Sequence, residues 1–215
     1  MNTREGLMHI FDLDAFDATR LFTDPCEYIV VPHFVRPEAL EAINRDFPEI
    51  DKPGNFDPQE LRYGAAFDAL LSELRSAELK AHFGAKFGID LTSFPLDMTV
   101  RKYSELSDGN VHNDSKSKIV TSLIYFNPKW DHPGGRLRLV RNPNDIEDYG
   151  GEVVPEAGTL TSFRRSETSF HGFKPMEGER RSLQMYWVKP KRMEVGEKKM
   201  TLKRLYKRWR KQRKR

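Results

Sequence analysis

The sequence predicts a mainly β fold with flanking helices: a β-sandwich or jelly roll, N-terminal helices packed outside one sheet, and a basic helical tail. Three observations predict it. From about Leu91 onward, short runs rich in β-branched and aromatic residues alternate with Asn-Pro, Pro-Gly-Gly and Pro-Glu-Ala-Gly breaks. Between about residues 37 and 88, apolar residues recur at helical spacing. After residue 188 the composition turns sharply to Lys and Arg.

Taken in order, EYIVVPHFV (27–35) reads as a strand ended by Arg36-Pro37, and PEALEAINRDF (37–47) as a helix with Pro at its start. PGNFDPQELRYG has the Pro, Gly, Asn and Asp of a loop. In AAFDALLSELRSAELKAHFGAKFG, the spacing of Leu70, Leu71, Leu74, Leu79 and Phe83 predicts one or two amphipathic helices ending near Gly84 or Gly88. LDMTVRKY, KIVTSLIYF, RLRLV, GEVV, GTLTSF, TSFHGF and RSLQMYWV then follow as strands of a sandwich or jelly roll. The predicted organisation is one domain over residues 1–188, with helical support at about 37–88 and a β core at about 91–188, followed by a basic amphipathic tail over 189–215.

The chain has 215 residues, enough for one domain with a substantial core. It has no run of eighteen apolar residues, and its N-terminus mixes acids with apolar residues, unlike a signal peptide. The single Cys26 forms no internal disulfide and reads as a small buried hydrophobe. The expected location is therefore the cytoplasm, including the inner face of the membrane as a peripheral site. Residues 189–215 carry a net charge of +12 and residues 1–188 carry −8, so the overall +4 describes neither part. The basic character belongs to the tail and is no argument that the globular face binds nucleic acid.

The stretch VHNDSKSK places His112 and Asp114 just after the first strand of the β half. With six His and fifteen Asp in the chain, chance alone gives a His-x-Asp roughly 0.4 times. The pair therefore needs partners. His171, on a late strand, supplies a third ligand, and Arg180 follows at the start of the last long strand. Two His and one carboxylate, with open positions left on the metal, are the ligand set of non-haem Fe(II) oxygenases. His9, His33 and His132 lack a second ligand at useful spacing and read as surface or hydrogen-bonded residues, and His82 reads as a packed or surface helix residue.

Residues 103–187 resemble the 2-oxoglutarate and Fe(II)-dependent dioxygenases, in particular the prolyl-hydroxylase-like branch. The resemblance runs through Y-x8-H-x-D, SLIYFNPKW, GGRLRL, PEAGTLTSF and H-x8-R-x-S, with a weaker match at IVVPHFVRPEALEAI. It implies a double-stranded β-helix, that is, a jelly roll, with His112, Asp114 and His171 holding iron. It also implies 2-oxoglutarate and O2 as co-substrates, decarboxylation of the 2-oxo acid to succinate, and hydroxylation of an unactivated C–H bond; ascorbate is a further candidate cofactor. Arg136 stands where the family often has Glu after Gly-Gly.

Arg180 and Arg181 compete to pair with the far carboxylate of 2-oxoglutarate. Alternation puts Arg180, Ser182, Gln184 and Tyr186 on one face and Arg181, Leu183, Met185 and Trp187 on the other. The family's basic-x-Ser pattern favours Arg180, with Ser182 adding a hydroxyl bond, although the more apolar face would ordinarily mark the core. Tyr125 matches a family tyrosine that reaches the same carboxylate, and Tyr103 is expected to line the pocket. Arg101, Asn113, Lys116 and Arg164 are candidates for the substrate entrance.

The substrate classes left open are a peptide side chain, a small molecule, and a saccharide or lipid-linked acceptor. In the tail, Leu202, Leu205, Tyr206 and Trp209 recur at i, i+3, i+4 and i+7, a narrow apolar stripe on a cationic helix. Such a helix suits an anionic membrane surface or RNA. A second reading of the whole chain is a non-catalytic metal-binding jelly roll, an adaptor tethered through that tail. The Arg180 clamp favours the enzyme, because a binding module needs no 2-oxo acid site.

Overall fold

The computed structural model describes residues 9–190. Its helical part comprises α1 (Leu13–Ala18), α2 (Pro37–Arg45), α3 (Ala65–Leu74) and α4 (Ala77–Phe87). Its strands are β1 (Tyr28–Val31), β2 (Leu96–Ser104), β3 (Lys118–Tyr125), β4 (Leu137–Val140), β5 (Tyr149–Val153), β6 (Leu160–Arg164), β7 (His171–Gly172) and β8 (Gly178–Val188). The expected loop at residues 53–64 carries one short 3-10 turn, Pro58–Glu60. The predicted tail helix lies outside the described residues.

Local chemistry explains the helix limits. Pro37 opens α2 with its φ preset and no N–H to leave unpaired. Ser76 separates α3 from α4, its hydroxyl accepting from the Leu79 N–H, and Gly88 closes α4 in the left-handed conformation. The short α1 was not expected: its six residues LDAFDA are too few for a periodicity signal. It forms because Asp12 caps the Ala15 N–H and Phe16 is driven into the core.

The strands form two antiparallel sheets, of order β1-β6-β3-β8-β2 and β5-β4-β7. A further backbone bridge joins His112 to His171, so the segment ahead of β3 extends the smaller sheet beyond β7. The architecture is a jelly roll, as predicted. Helices cover the outer face of the larger sheet, where Leu183, Met185 and Trp187 of β8 join Phe16, Phe67, Leu70 and Phe83 in the main core cluster. The Trp187 and Phe83 rings lie 4.6 Å apart. A smaller cluster, including Leu123, Tyr125, Leu137, Leu139 and Phe163, fills part of the space between the sheets.

This division fixes which way β8 faces. Its apolar face is the one under the helices, and the polar face bearing Arg180 and Ser182 points into the barrel. Arg180 is 1% exposed, whereas Arg181 is only half-buried, paired with Glu179 and lying 5.4 Å from the Phe47 ring on the helix side.

Candidate active site

His112, Asp114 and His171 converge, with one ligand atom from each lying within 4.8 Å of the others. The backbone makes this pairing. His112 N–H donates to His171 O at 3.0 Å and His171 N–H returns the bond at 2.9 Å, which brings the two imidazoles together with centroids 4.4 Å apart and planes tilted by 57°. The approach requires Gly109, whose φ is +94° and whose Cβ, were it present, would sit 2.3 Å from the Phe173 carbonyl oxygen.

Each imidazole is held by a backbone carbonyl two residues before it. His112 Nδ1 lies 2.9 Å from Asn110 O, and His171 Nδ1 lies 3.0 Å from Ser169 O. A carbonyl only accepts, so Nδ1 carries the proton and Nε2 keeps its lone pair for a metal. Burial is the main force on His171, pushing its pKa down to about 4 against the pull of Asp114, so the ring is neutral at physiological pH.

Asp114 is 6% exposed. Its Oδ2 accepts from the Thr121 hydroxyl at 2.5 Å and its Oδ1 from the Lys118 ammonium at 2.6 Å. Burial raises its pKa, but His171, Lys118 and these hydrogen bonds together outweigh that and hold the carboxyl below its ordinary range. Donor types, spacing and locked tautomers therefore fit a divalent iron.

A cavity of about 240 Å³ opens from the triad along the inner wall of the barrel. At its inner end Arg180 Nε donates to Gly135 O at 2.8 Å, and its guanidinium carbon stands 4.3 Å from the Phe173 ring centroid and 5.3 Å from that of Tyr125. Arg180 Nη2, the Tyr125 hydroxyl and Ser182 Oγ are buried without a hydrogen-bond partner among the described residues. Tyr125 and Ser182 face each other across the β3–β8 ladder. Leaving three such groups unsatisfied is costly, on the order of 1–3 kcal/mol each. Of the three, Arg180 lines the cavity, and a carboxylate placed against its guanidinium would accept from it, so this residue fits the far end of 2-oxoglutarate.

Tyr103 is a correction. It was expected in the pocket, but it packs against the helix-side cluster and is not part of the cavity lining. The β2–β8 register shifts between Arg101 and Tyr103, where β8 carries one extra residue.

Among the entrance candidates, Arg101 lines the cavity, paired with Asp108 at 2.7 Å. Asn113 instead ties Ser166 and Ser169 together, Lys116 lies beside Glu167, and Arg164 beside Glu27. Arg136 pairs with Glu152. His82 contacts Asp17, His132 accepts from Gly134 N–H, and His33 lies in the turn after β1 with φ 56°, so none of these three joins the triad. Thr121 and Lys118, the two groups holding Asp114, were missed, although Lys118 sits four residues after Asp114.

Residues 98–189 match the model of the 2OG-Fe(II) oxygenase superfamily, which bears out the resemblance over the β half. The fold is similar to that of a Pseudomonas putida prolyl-4-hydroxylase, with 21% identity, 82% of this chain and 90% of that chain covered, and a TM-score of 0.54. It is similar also to the viral collagen prolyl hydroxylase of Paramecium Bursaria Chlorella virus-1, solved with 2OG, at 15% identity, 76% and 96% coverage and a TM-score of 0.52. A Trichoplax adhaerens prolyl hydroxylase, solved with a peptide fragment of hypoxia inducible factor, gives 17% identity, 75% and 83% coverage and a TM-score of 0.53. At these identities the structural likeness is one of fold. No curated protein matches. No helix of the described residues is long and apolar enough to cross a membrane.

Proposed function

We propose that the protein is an Fe(II)- and 2-oxoglutarate-dependent hydroxylase acting on an unactivated C–H bond. The observation that carries this reading is the joint presence, in the lining of one cavity, of the converged His112–Asp114–His171 triad and of Arg180, whose Nη2 is buried without a hydrogen-bond partner among the described residues. Either alone would fit a simple metal or anion site; their pairing fits a metal with a chelating 2-oxo acid. Bound iron and 2-oxoglutarate, with O2, supply the oxidation itself, the 2-oxo acid being decarboxylated to succinate.

The chain's own contribution is placement. His112 and His171 offer Nε2 atoms fixed by their Nδ1 bonds, and Asp114 offers a carboxylate steadied by Thr121 and Lys118. Arg180, fixed by Gly135 O, orients the co-substrate through its far carboxylate, while Phe173, Leu123 and Leu137 keep the cavity wall dry around it. Purified protein with Fe(II) and O2 should convert 2-oxoglutarate to succinate, and extracts incubated with it should contain species heavier by one oxygen atom. Absence of Fe(II)-dependent succinate formation with every extract tested would count against the proposal.

Residues 189–215 are read as a localising segment, separate from the chemistry. A truncation after Lys189 should keep 2-oxoglutarate turnover and lose salt-sensitive binding to anionic vesicles or RNA, the two surfaces its charge suits.

A further inference from the structure

We infer that Lys118 is a substrate-binding residue, and that the substrate presents a carboxylate or phosphate beside the metal site. This rests on the Fe(II) and 2-oxoglutarate reading and names the substrate class for that same site.

The charges lining the cavity carry the inference. Three cations, Arg101, Lys118 and Arg180, face two carboxylates, Asp108 and Asp114. A divalent metal and the dianion of 2-oxoglutarate add no net charge, so the loaded cavity keeps one cation in excess. Arg101 is not that cation, since its Nη1 lies 2.7 Å from Asp108 and its Nε donates to Asn55 at 3.0 Å. Arg180 is matched by the far carboxylate of the co-substrate. The near carboxylate and Asp114 together balance the metal.

Lys118 is left over. Its ammonium lies 2.6 Å from Asp114 Oδ1, the carboxylate whose charge a ligated metal takes up. What else holds it is the face of Tyr186, with Nζ 3.6 Å from the ring centroid. A ring face attracts a cation but supplies no counter-charge. The side chain is 23% exposed, so the excess charge is largely shielded from water and favours an incoming anion.

Position supports the same conclusion. Thr121 pairs with Tyr186, and Tyr125 with Ser182. Four residues of strand, roughly 13 Å at about 3.3 Å each, therefore separate the Lys118 end of the wall from the co-substrate clamp. The lining around Lys118 is polar: the Tyr186 hydroxyl donates to Gln184 Oε1 at 2.5 Å and lies 3.4 Å from Thr99 Oγ1. An anion held by Lys118 would have hydrogen-bonding neighbours and would sit next to the triad.

The test uses the full chain loaded anaerobically with Mn(II) and 2-oxoglutarate, titrated with acetate, methyl phosphate, acetamide and methylammonium. Unfolding temperature and the Mn(II) electron paramagnetic resonance signal are the readouts. Acetate or methyl phosphate should bind saturably and in a salt-sensitive way, whereas acetamide and methylammonium should not; the stronger of the two anions identifies the group. Measured on protein saturated with Mn(II) and 2-oxoglutarate, Lys118→Met should weaken anion binding roughly tenfold or more, and Lys118→Arg should retain it. Failure of the wild type to take up Mn(II) and 2-oxoglutarate would instead refute the parent reading. The inference is overturned if the loaded wild type binds neither anion, if acetamide binds as well as acetate, or if Lys118→Met binds the anion unchanged.

Discussion

Along β8, alternate side chains enter two unlike environments. Leu183, Met185 and Trp187 pass into the helix-side core, while Arg180, Ser182, Gln184 and Tyr186 pass into the barrel, where two polar atoms of this set have no partner among the described residues. The first face is packed by folding alone, although Trp187 Nε1 is left without a partner among the described residues; the second sets the Arg180 guanidinium against a cavity that a ligand can enter. One strand thus separates stability from function by its period of two. The usual rule that the apolar side faces the core holds here, but the barrel interior is a second interior with different chemistry.

Changes on either face should break the comparison in different ways. The largest effect is expected inside the barrel: His171→Ala removes a metal ligand and should reduce Fe(II)-dependent succinate formation to background, with far-ultraviolet circular dichroism preserved. Loss of an outer-shell partner alone costs about 10–100-fold in metal affinity or activity, and loss of a ligand should cost more. On the helix side, Trp187→Ala should cost about 3–5 kcal/mol of unfolding free energy in urea, because it empties a fully buried site against Phe83. The folded fraction of that variant should still bind 2-oxoglutarate.

The smaller effect concerns acid. The folded pKa of His171, about 4, lies below its ordinary 6.5. The unfolded chain therefore binds more protons between those values, and the stabilisation from a neutral His171 is present above about pH 6.5 and lost as pH falls toward about 4. For metal-free protein in chelator this amounts to on the order of 3 kcal/mol. Urea midpoints from pH 7 to 4.5 should show the excess loss in the wild type but not in His171→Gln. Parallel pH profiles for the two would contradict it.

Much of this was legible in the sequence, because the relevant signals are local. The strands announced themselves through composition and turn residues, and His112, Asp114 and His171 through residue type and order. Arg180 was favoured over Arg181 by the basic-x-Ser pattern of the family the sequence resembles, but the reason its polar face is interior became visible only with helices on the opposite face. Tyr103 was misplaced because the extra β8 residue opposite β2 is a property of pairing, which neither strand records alone. The short α1 depends on tertiary burial of Phe16, and Lys118 and Thr121 acquire their roles only when the chain turns back onto Asp114.

The most direct test of the two-faced strand is the affinity of the Mn(II)-loaded protein for 2-oxoglutarate, measured by anaerobic calorimetry in matched arginine variants. Arg180→Ala should lose about 2–5 kcal/mol of binding free energy, roughly thirtyfold to several thousandfold in Kd, while Arg181→Ala should bind as the wild type does. If Arg181→Ala loses the affinity and Arg180→Ala keeps it, the inner wall of the barrel is not where the co-substrate is held, and the account is wrong at its centre.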